Sequence, residues 1–225
     1  MARPPRLPKL LAALQAQQGG TVSGPPRDPW HAILWDNVVY LTDEGRRDQA
    51  FAALKQTVGL DARTIAAAPD ELLLPICGKG KMAHDRVLAL RECAEQFATA
   101  GDPRQLVRRP EPEARKGLKQ FPGVGDPGAD RLLLFAGQAT PVALESNGLR
   151  TLLRLGYGKE ASNYAASYRS ATTAAAAELP DEVEPRVDAY LRLRRHGQEV
   201  CRRQPFCDRC VLANHCPTAR GDDMH

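Results

Sequence analysis

Residues Leu118 to Gly156 read LKQFPGVGDPGADRLLLFAGQATPVALESNGLRTLLRLG, and this stretch decides the fold. Phe121-Pro122-Gly123-Val124-Gly125 interrupts an apolar helical pattern. Asp126-Pro127 restarts one, because Asp is a good N-cap and Pro is preset for the first helical position. The spacing predicts two helices flanking a tight turn at 121–126. With no Cβ at Gly123 or Gly125, successive backbone N–H groups can face outward together at a helix N-terminus, a concave site for phosphate. A bare GxG also occurs in ordinary helix corners, so its meaning depends on what surrounds it. A carboxylate, Glu145, then opens a third helix.

At 225 residues the chain is long enough for one large domain or two intimate ones. Aromatic residues are only 5% of it, which implies a core of Leu, Ala and Val and favours helices. The net charge of +4 is compatible with a polyanionic partner but does not by itself argue for one. No charged-then-apolar signal segment opens the chain, and no apolar run approaches the roughly 20 residues of a membrane span. The expectation is a protein of a reducing cytoplasmic compartment, nucleoid-associated if bacterial, with no membrane partner.

Four of the six cysteines, Cys201, Cys207, Cys210 and Cys216, crowd into one short C-terminal stretch, while Cys77 and Cys93 are isolated in helical sequence. The pattern C-x5-C-x2-C-x5-C curls the chain around one centre through three short loops. Zinc ribbons usually present two tight C-x2-C knuckles, and only one is present. A 4Fe–4S cluster tolerates the wider loops and is the expected cofactor; zinc is the alternative, and disulfides rank third.

Pro122-Gly123-Val124-Gly125, then Pro141 through Glu145, then Leu149-Arg150 through Gly156 resemble the helix-hairpin-helix and Gly/Pro-rich loop of endonuclease III-like DNA glycosylases. The family pattern runs roughly PGVGRKTA, then PxxxVDTHxxR. The cysteine array resembles that family's C-x6-C-x2-C-x5-C cluster loop, one residue short in the first spacing, and His196-Gly197 resembles the helix entering it. Three positions depart. Pro127 stands where bifunctional members carry a Schiff-base lysine, Glu145 where they carry the catalytic aspartate, and Asn147 where they carry a histidine.

The resemblance implies an all-α, two-lobed fold with a helix-hairpin-helix and a cluster loop at 201–216. Residues 26–138 would form the lobe holding the hairpin, and 1–25 with 139–225 the cluster-bearing lobe, with hairpin and Glu145 at the cleft. It implies a monomer acting on double-stranded DNA that contains a damaged or mismatched base. The amides of Gly123 and Gly125 would hold a backbone phosphate. Asn37 aligns with a residue that fills the gap left by an extruded nucleotide. The loop bearing Lys79, Lys81 and Met82 aligns with one that probes DNA.

Elsewhere the chain reads as helix almost throughout. Leu7, Leu10, Leu11 and Leu14 recur at helical spacing beside the basic Arg3, Arg6 and Lys9. The segment from Trp30 to Leu41 is apolar nearly all round, which periodicity alone leaves open between buried helix and strand. Residues 101–113 read as an irregular connector, and 159–177 as an alanine-rich helix. Arg192, Arg194, Arg195, Arg202, Arg203 and Arg209 concentrate positive charge around the cysteines, and Arg202 and Arg203 are the candidate phosphate contacts.

Pro127 has no amine for an imine, since its ring nitrogen is locked in the peptide bond. The expected activity is therefore a monofunctional N-glycosylase with Glu145 as catalytic carboxylate and no lysine-dependent lyase step. The alternative is a non-catalytic protein that binds DNA lesions or structures; a cluster-bearing redox or scaffold protein is more remote.

Overall fold

The computed structural model describes residues 6–221; Arg3 lies outside them. Among the described residues there are thirteen α-helices, two 3-10 turns and no strand, with one isolated bridge between Tyr40 and Lys81. The chain divides into two compact units. One is Pro25–Gln138, and the other joins the residues up to Gly24 to those from Ala139 onward.

The unit Pro25–Gln138 is built around α2 (Pro29–Asn37), which opens where Asp28 accepts the His31 N–H at 2.9 Å. Trp30, Ile33 and Leu34 are buried. A helix apolar all round must be enclosed, which settles the helix-or-strand ambiguity. It is covered by α3 (Glu44–Thr57), α6 (Ala83–Thr99), α7 (Pro103–Leu106) and α9 (Asp126–Phe135). The Trp30 ring meets Phe97 and Phe121 edge-on at 4.9 and 6.3 Å. Past Asn37 the helix stops, and Arg47 Nη1 donates to the carbonyls of Trp35, Asp36 and Val39. The expected irregular connector contains α7, because Asp102 caps it and Pro103 is preset for its first turn. Helices α4 (Ala62–Ala67), α5 (Asp70–Cys77) and α8 (Glu111–Leu118) complete the unit.

The other unit holds α1 (Leu7–Gln18), α10 (Ser146–Arg154), α11 (Tyr164–Ala176), α12 (Val183–Glu199) and α13 (Pro217–Arg220), with 3-10 turns at Cys207–Arg209 and Ala213–His215. Its core joins Leu7, Leu10 and Leu14 to Leu149, Leu152 and Leu193. Each fully buried leucine contributes about 1.5–3 kcal/mol. Helices α10 and α12 approach closely through Gly197, where an added Cβ would lie 2.4 Å from the Asn147 carbonyl oxygen. The alanine-rich helix begins at Tyr164 rather than 159, because Asn163 caps it. The backbone amides of Lys159 and Ala161 donate to the hydroxyls of Ser170 and Ser167 instead of continuing a helix.

Three of the arginines assigned to a basic surface are committed to packing. Arg192 is 2% exposed, bonds the carbonyls of Gly19 and Gly20, and pairs with Asp188. Arg194 is buried, and Arg195 donates to Gln18 O and pairs with Glu199. For Arg192 and Arg195 the reason is position: the face of α12 that carries them receives the C-terminal end of α1, where backbone carbonyls need donors.

Candidate active site and cysteine centre

The hairpin is held from inside and open outside. Phe121 and Val124 are buried, while Gly123 and Gly125 are exposed. Gly123 has a φ of 75°, a conformation that penalises side chains, and the Val124 N–H closes the turn onto Phe121 O at 3.1 Å. Among the described residues neither the Gly123 nor the Gly125 amide finds an acceptor within the chain. Two such amides on exposed glycines leading into α9 are the kind of donor set an anion needs.

Two expectations at the hairpin change. Gly125, not Asp126, is the N-cap of α9; Asp126 occupies the first helical turn and pairs with Lys119 Nζ at 2.7 Å. The carboxylate beside the amides is thus matched by a lysine from the end of α8. Asn37 is buried at 3% exposure, and its Nδ2 donates to Ile33 O at 3.0 Å and Pro122 O at 2.9 Å. A side chain with both amide hydrogens bound to backbone braces the hairpin from beneath. It does not stand at the surface, where a gap-filling residue would. Next to it, Asp36 is gripped by both Nη atoms of the buried Arg131.

Lys79, Lys81 and Met82 are exposed. The Lys81 N–H donates to Tyr40 O at 2.8 Å, so this loop is tied to the one after α2. The tie brings forward a residue that sequence reading missed. Leu41 (φ 46°) and Met82 (φ 58°) are the two non-glycine residues with left-handed backbone among those described, at 69% and 55% exposure. Such backbone costs on the order of 1–3 kcal/mol per residue and tends to mark functional positions.

Glu145 is half-buried and caps α10 with its own side chain. Its Oε1 accepts the Gly148 N–H at 2.7 Å and its Oε2 accepts Asn147 Nδ2 at 2.7 Å. The extra methylene relative to Asp is taken up by this fold-back over the helix start. Each carboxylate oxygen keeps a further lone pair for another partner. Tyr164, 48% exposed, is a neighbour that no sequence pattern singles out. Burial raises its phenol, and the charge of Glu145 raises it further.

From Asn147 the contacts run on to the cysteine loop. Arg150 Nη2 donates to Asn147 Oδ1 at 2.7 Å and Gly197 O at 3.0 Å, while its Nε donates to Cys201 O at 3.0 Å. One turn later Arg154 Nη1 donates to Arg202 O at 2.6 Å and Cys201 Sγ at 3.4 Å, and Nη2 to Arg203 O at 3.0 Å. Residues four apart share a helical face, so Arg150 and Arg154 together hold the start of the loop.

Cys201, Cys207, Cys210 and Cys216 all line one recess, with Leu155, Val200, Phe206 and Leu212 among its apolar walls. Among the described residues no three His, Cys, Asp or Glu side chains stand as a ready-made site for a metal ion. His196 Nε2 lies 3.5 Å from Cys210 Sγ, and burial pushes this imidazole down to about 4. Burial, with the charges of the neighbouring cysteines, pushes the Cys210 and Cys216 thiols up. Four cysteines lining one recess are a donor set that a thiolate-held metal centre fits. Outside the recess, Arg202 and Arg203 are exposed, and the guanidinium carbons of Arg202 and Arg209 lie 5.6 and 4.2 Å from the Phe206 ring centre.

The fold is the all-helical one of endonuclease III-type DNA glycosylases. A thermostable thymine-DNA glycosylase superposes with a TM-score of 0.72 at 17% identity, covering 95% of this chain and 96% of that one. A trapped covalent intermediate of endonuclease III with DNA gives 0.71 at 16%, covering 95% and 93%. A non-covalent endonuclease III–DNA complex gives 0.71 at 15%, covering 96% and 95%. No protein-family model matches the sequence, and no curated protein does. The four cysteines are consistent with the cluster loop of that structural class. No helix among the described residues is long and apolar enough to cross a membrane.

Proposed function

We propose that the chain is a monofunctional DNA glycosylase that acts as a cytoplasmic monomer on a damaged or mismatched base in duplex DNA. The observation that carries the reading is the Glu145 carboxylate, fixed at the N-terminus of α10 by Gly148 and Asn147, in a chain with a glycosylase fold. Hydrolysis of the N-glycosidic bond develops positive charge on the sugar, and a fixed carboxylate can stabilise that charge or orient the attacking water. Extruding the base costs a few kcal/mol, least at weakened pairs. Leu41 and Met82 are the apolar side chains suited to wedge into the duplex. The amides of Gly123 and Gly125 hold a phosphate, and Lys79, Lys81, Arg202 and Arg203 add backbone contacts that position without reading sequence.

Cys201, Cys207, Cys210 and Cys216 would hold a 4Fe–4S cluster, supported by their spacing in the sequence and by their lining one recess. When bound, the cluster supplies the cross-link that gives the loop its shape. Iron and sulfide analysis of anaerobically purified protein checks this; about one equivalent of zinc with negligible iron contradicts it.

Pro127 offers no amine, so base release leaves the strand intact until alkali is added. The test is a panel of duplexes, each with one damaged or mismatched base, assayed with and without alkali and with borohydride. Base release without trapping, abolished in Glu145→Gln, supports the reading. One observation favours the non-catalytic alternative: both Glu145 oxygens are already engaged, Oε1 by the Gly148 N–H at the helix start and Oε2 by Asn147 Nδ2. Duplex binding with no base released from any substrate selects that alternative.

A further inference from the structure

Two side chains from outside the cysteine loop reach its sulfurs, and the helices hold both in place. His196 stands in the last turn of α12, where its carbonyl oxygen accepts the N–H groups of Val200 and Cys201 at 2.9 and 2.8 Å. The residue is 2% exposed. Its Nε2 lies 3.5 Å from Cys210 Sγ, while Nδ1 has no hydrogen-bond partner among the described residues. Arg154 ends α10 with its Nη1 3.4 Å from Cys201 Sγ, and the carbonyls of Arg202 and Arg203 fix the same guanidinium there. Both residues line the recess that the four cysteines share.

What the sulfur carries decides the direction of the His196–Cys210 contact. A neutral imidazole has one ring N–H, and a thiol can donate to Nε2 as readily as accept from it. A cysteine that ligates a metal has lost its proton, so the one hydrogen bond left to this pair runs from Nε2–H to sulfur. Arg154 needs no such choice, since a guanidinium only donates. At Cys216, ligation removes the S–H that donates to the Arg154 carbonyl at 3.3 Å, and Thr218 Oγ1, also at 3.3 Å, remains as a donor to that oxygen.

A 4Fe–4S core held by four thiolates is an anion in a largely apolar recess, and buried charge is costly unless hydrogen bonds reach it. An added electron increases that charge. N–H groups aimed at the sulfurs therefore stabilise the reduced form more than the oxidised one and raise the reduction potential. We propose that His196 and Arg154 tune the potential of the cysteine centre, His196 by donating to Cys210 and Arg154 by donating to Cys201. The inference rests on the cluster reading given above and not on the glycosylase reading.

Voltammetry of the full chain, purified without oxygen, measures the potential, with the electrode supplying the electron. Iron and sulfide content per chain shows that the variants compared are equally loaded. His196→Phe fills similar space and keeps water out but offers no N–H, so it should lower the reduction equilibrium constant by about tenfold, which is about 59 mV for a one-electron couple. Arg154→Met should lower it too. His196→Gln restores a donor and should recover most of the loss; a purely structural role predicts that Gln and Phe behave alike, and that result overturns the proposal. Should His196→Phe lose its iron, Arg154→Met decides, and a wild-type potential there counts against the proposal. Full iron loading with unchanged potentials overturns this inference alone, whereas zinc without iron in the wild-type chain overturns the cluster reading and this inference with it.

Discussion

The side-chain amide of Asn147 lies 2.7 Å from Oε2 of Glu145, while its oxygen takes a hydrogen bond from Arg150 Nη2 at 2.7 Å. The same arginine holds the carbonyls of Cys201 and Gly197, so the carboxylate and the start of the cysteine loop share one chain of contacts. Under the glycosylase reading, Asn147→Ala leaves duplex affinity near wild type but slows base release. Misplacement of about 1 Å can cost roughly a hundredfold. Single-turnover rates and equilibrium binding on the same duplex measure both. Wild-type turnover in the variant removes Asn147 from any positioning role.

Gly197→Ala is expected to destabilise the protein strongly, because its Cβ would meet the Asn147 carbonyl oxygen at 2.4 Å and force α12 away from α10. Overpacking of this kind costs typically about 1–3 kcal/mol, and a rigid backbone neighbour puts this site at the upper end. Gly20→Ala is the control, since nothing lies within 4 Å of its Cβ. Thermal unfolding of the pair should show a large drop only for Gly197→Ala.

Asn37→Ala separates bracing from DNA contact. Removing the amide strands the Pro122 carbonyl and should lower stability by about 1–3 kcal/mol, weakening duplex binding through a loosened hairpin. A residue that only touches DNA would lose binding with no change in denaturant midpoint. That result would return Asn37 to the surface role its position in the sequence suggested.

Asp126→Asn should tighten duplex binding and steepen its salt dependence by up to about one unit, because Lys119 is released from its 2.7 Å ion pair beside the hairpin amides. The log–log slope of affinity against salt is the measurement. An unchanged slope would mean that Lys119 faces no phosphate.

Burial pushes the Cys93 thiol up to about 12 and Cys77 up to about 11, from 9.0. The folded state holds these protons more tightly than the unfolded chain. Their contribution is therefore complete below pH 9 and is lost as pH rises through about 11 to 12. The loss runs from about pH 9 to about 11 for Cys77 and to about 12 for Cys93, where the unfolded chain has given up the proton and the folded one still holds it. Unfolding free energies measured from pH 8 upward should fall more steeply for wild type than for Cys93→Ala. In native protein at pH 8, iodoacetamide should leave both thiols unmodified.

The helices, the hairpin, the cap-forming carboxylate and the four-cysteine array are legible in the sequence, because each is a local pattern. A Pro-Gly-x-Gly turn, a capping residue and ligand spacing act over a few residues and show in one dimension. Even there, the helix after the hairpin is capped by Gly125 rather than Asp126, since Lys119, seven residues earlier, claims the aspartate. Packing settles what no spacing encodes. Arg192 and Arg195 face the end of α1, not a polyanion, because orphan carbonyls 173 to 177 residues away in sequence needed donors. Asn37 went inward because the Pro122 carbonyl, 85 residues on, came within 2.9 Å. Leu41 went outward because the Tyr40–Lys81 bridge fixed its loop. A polar side chain's role depends on which distant backbone group lacks a partner, and only the folded chain brings that group within hydrogen-bonding reach.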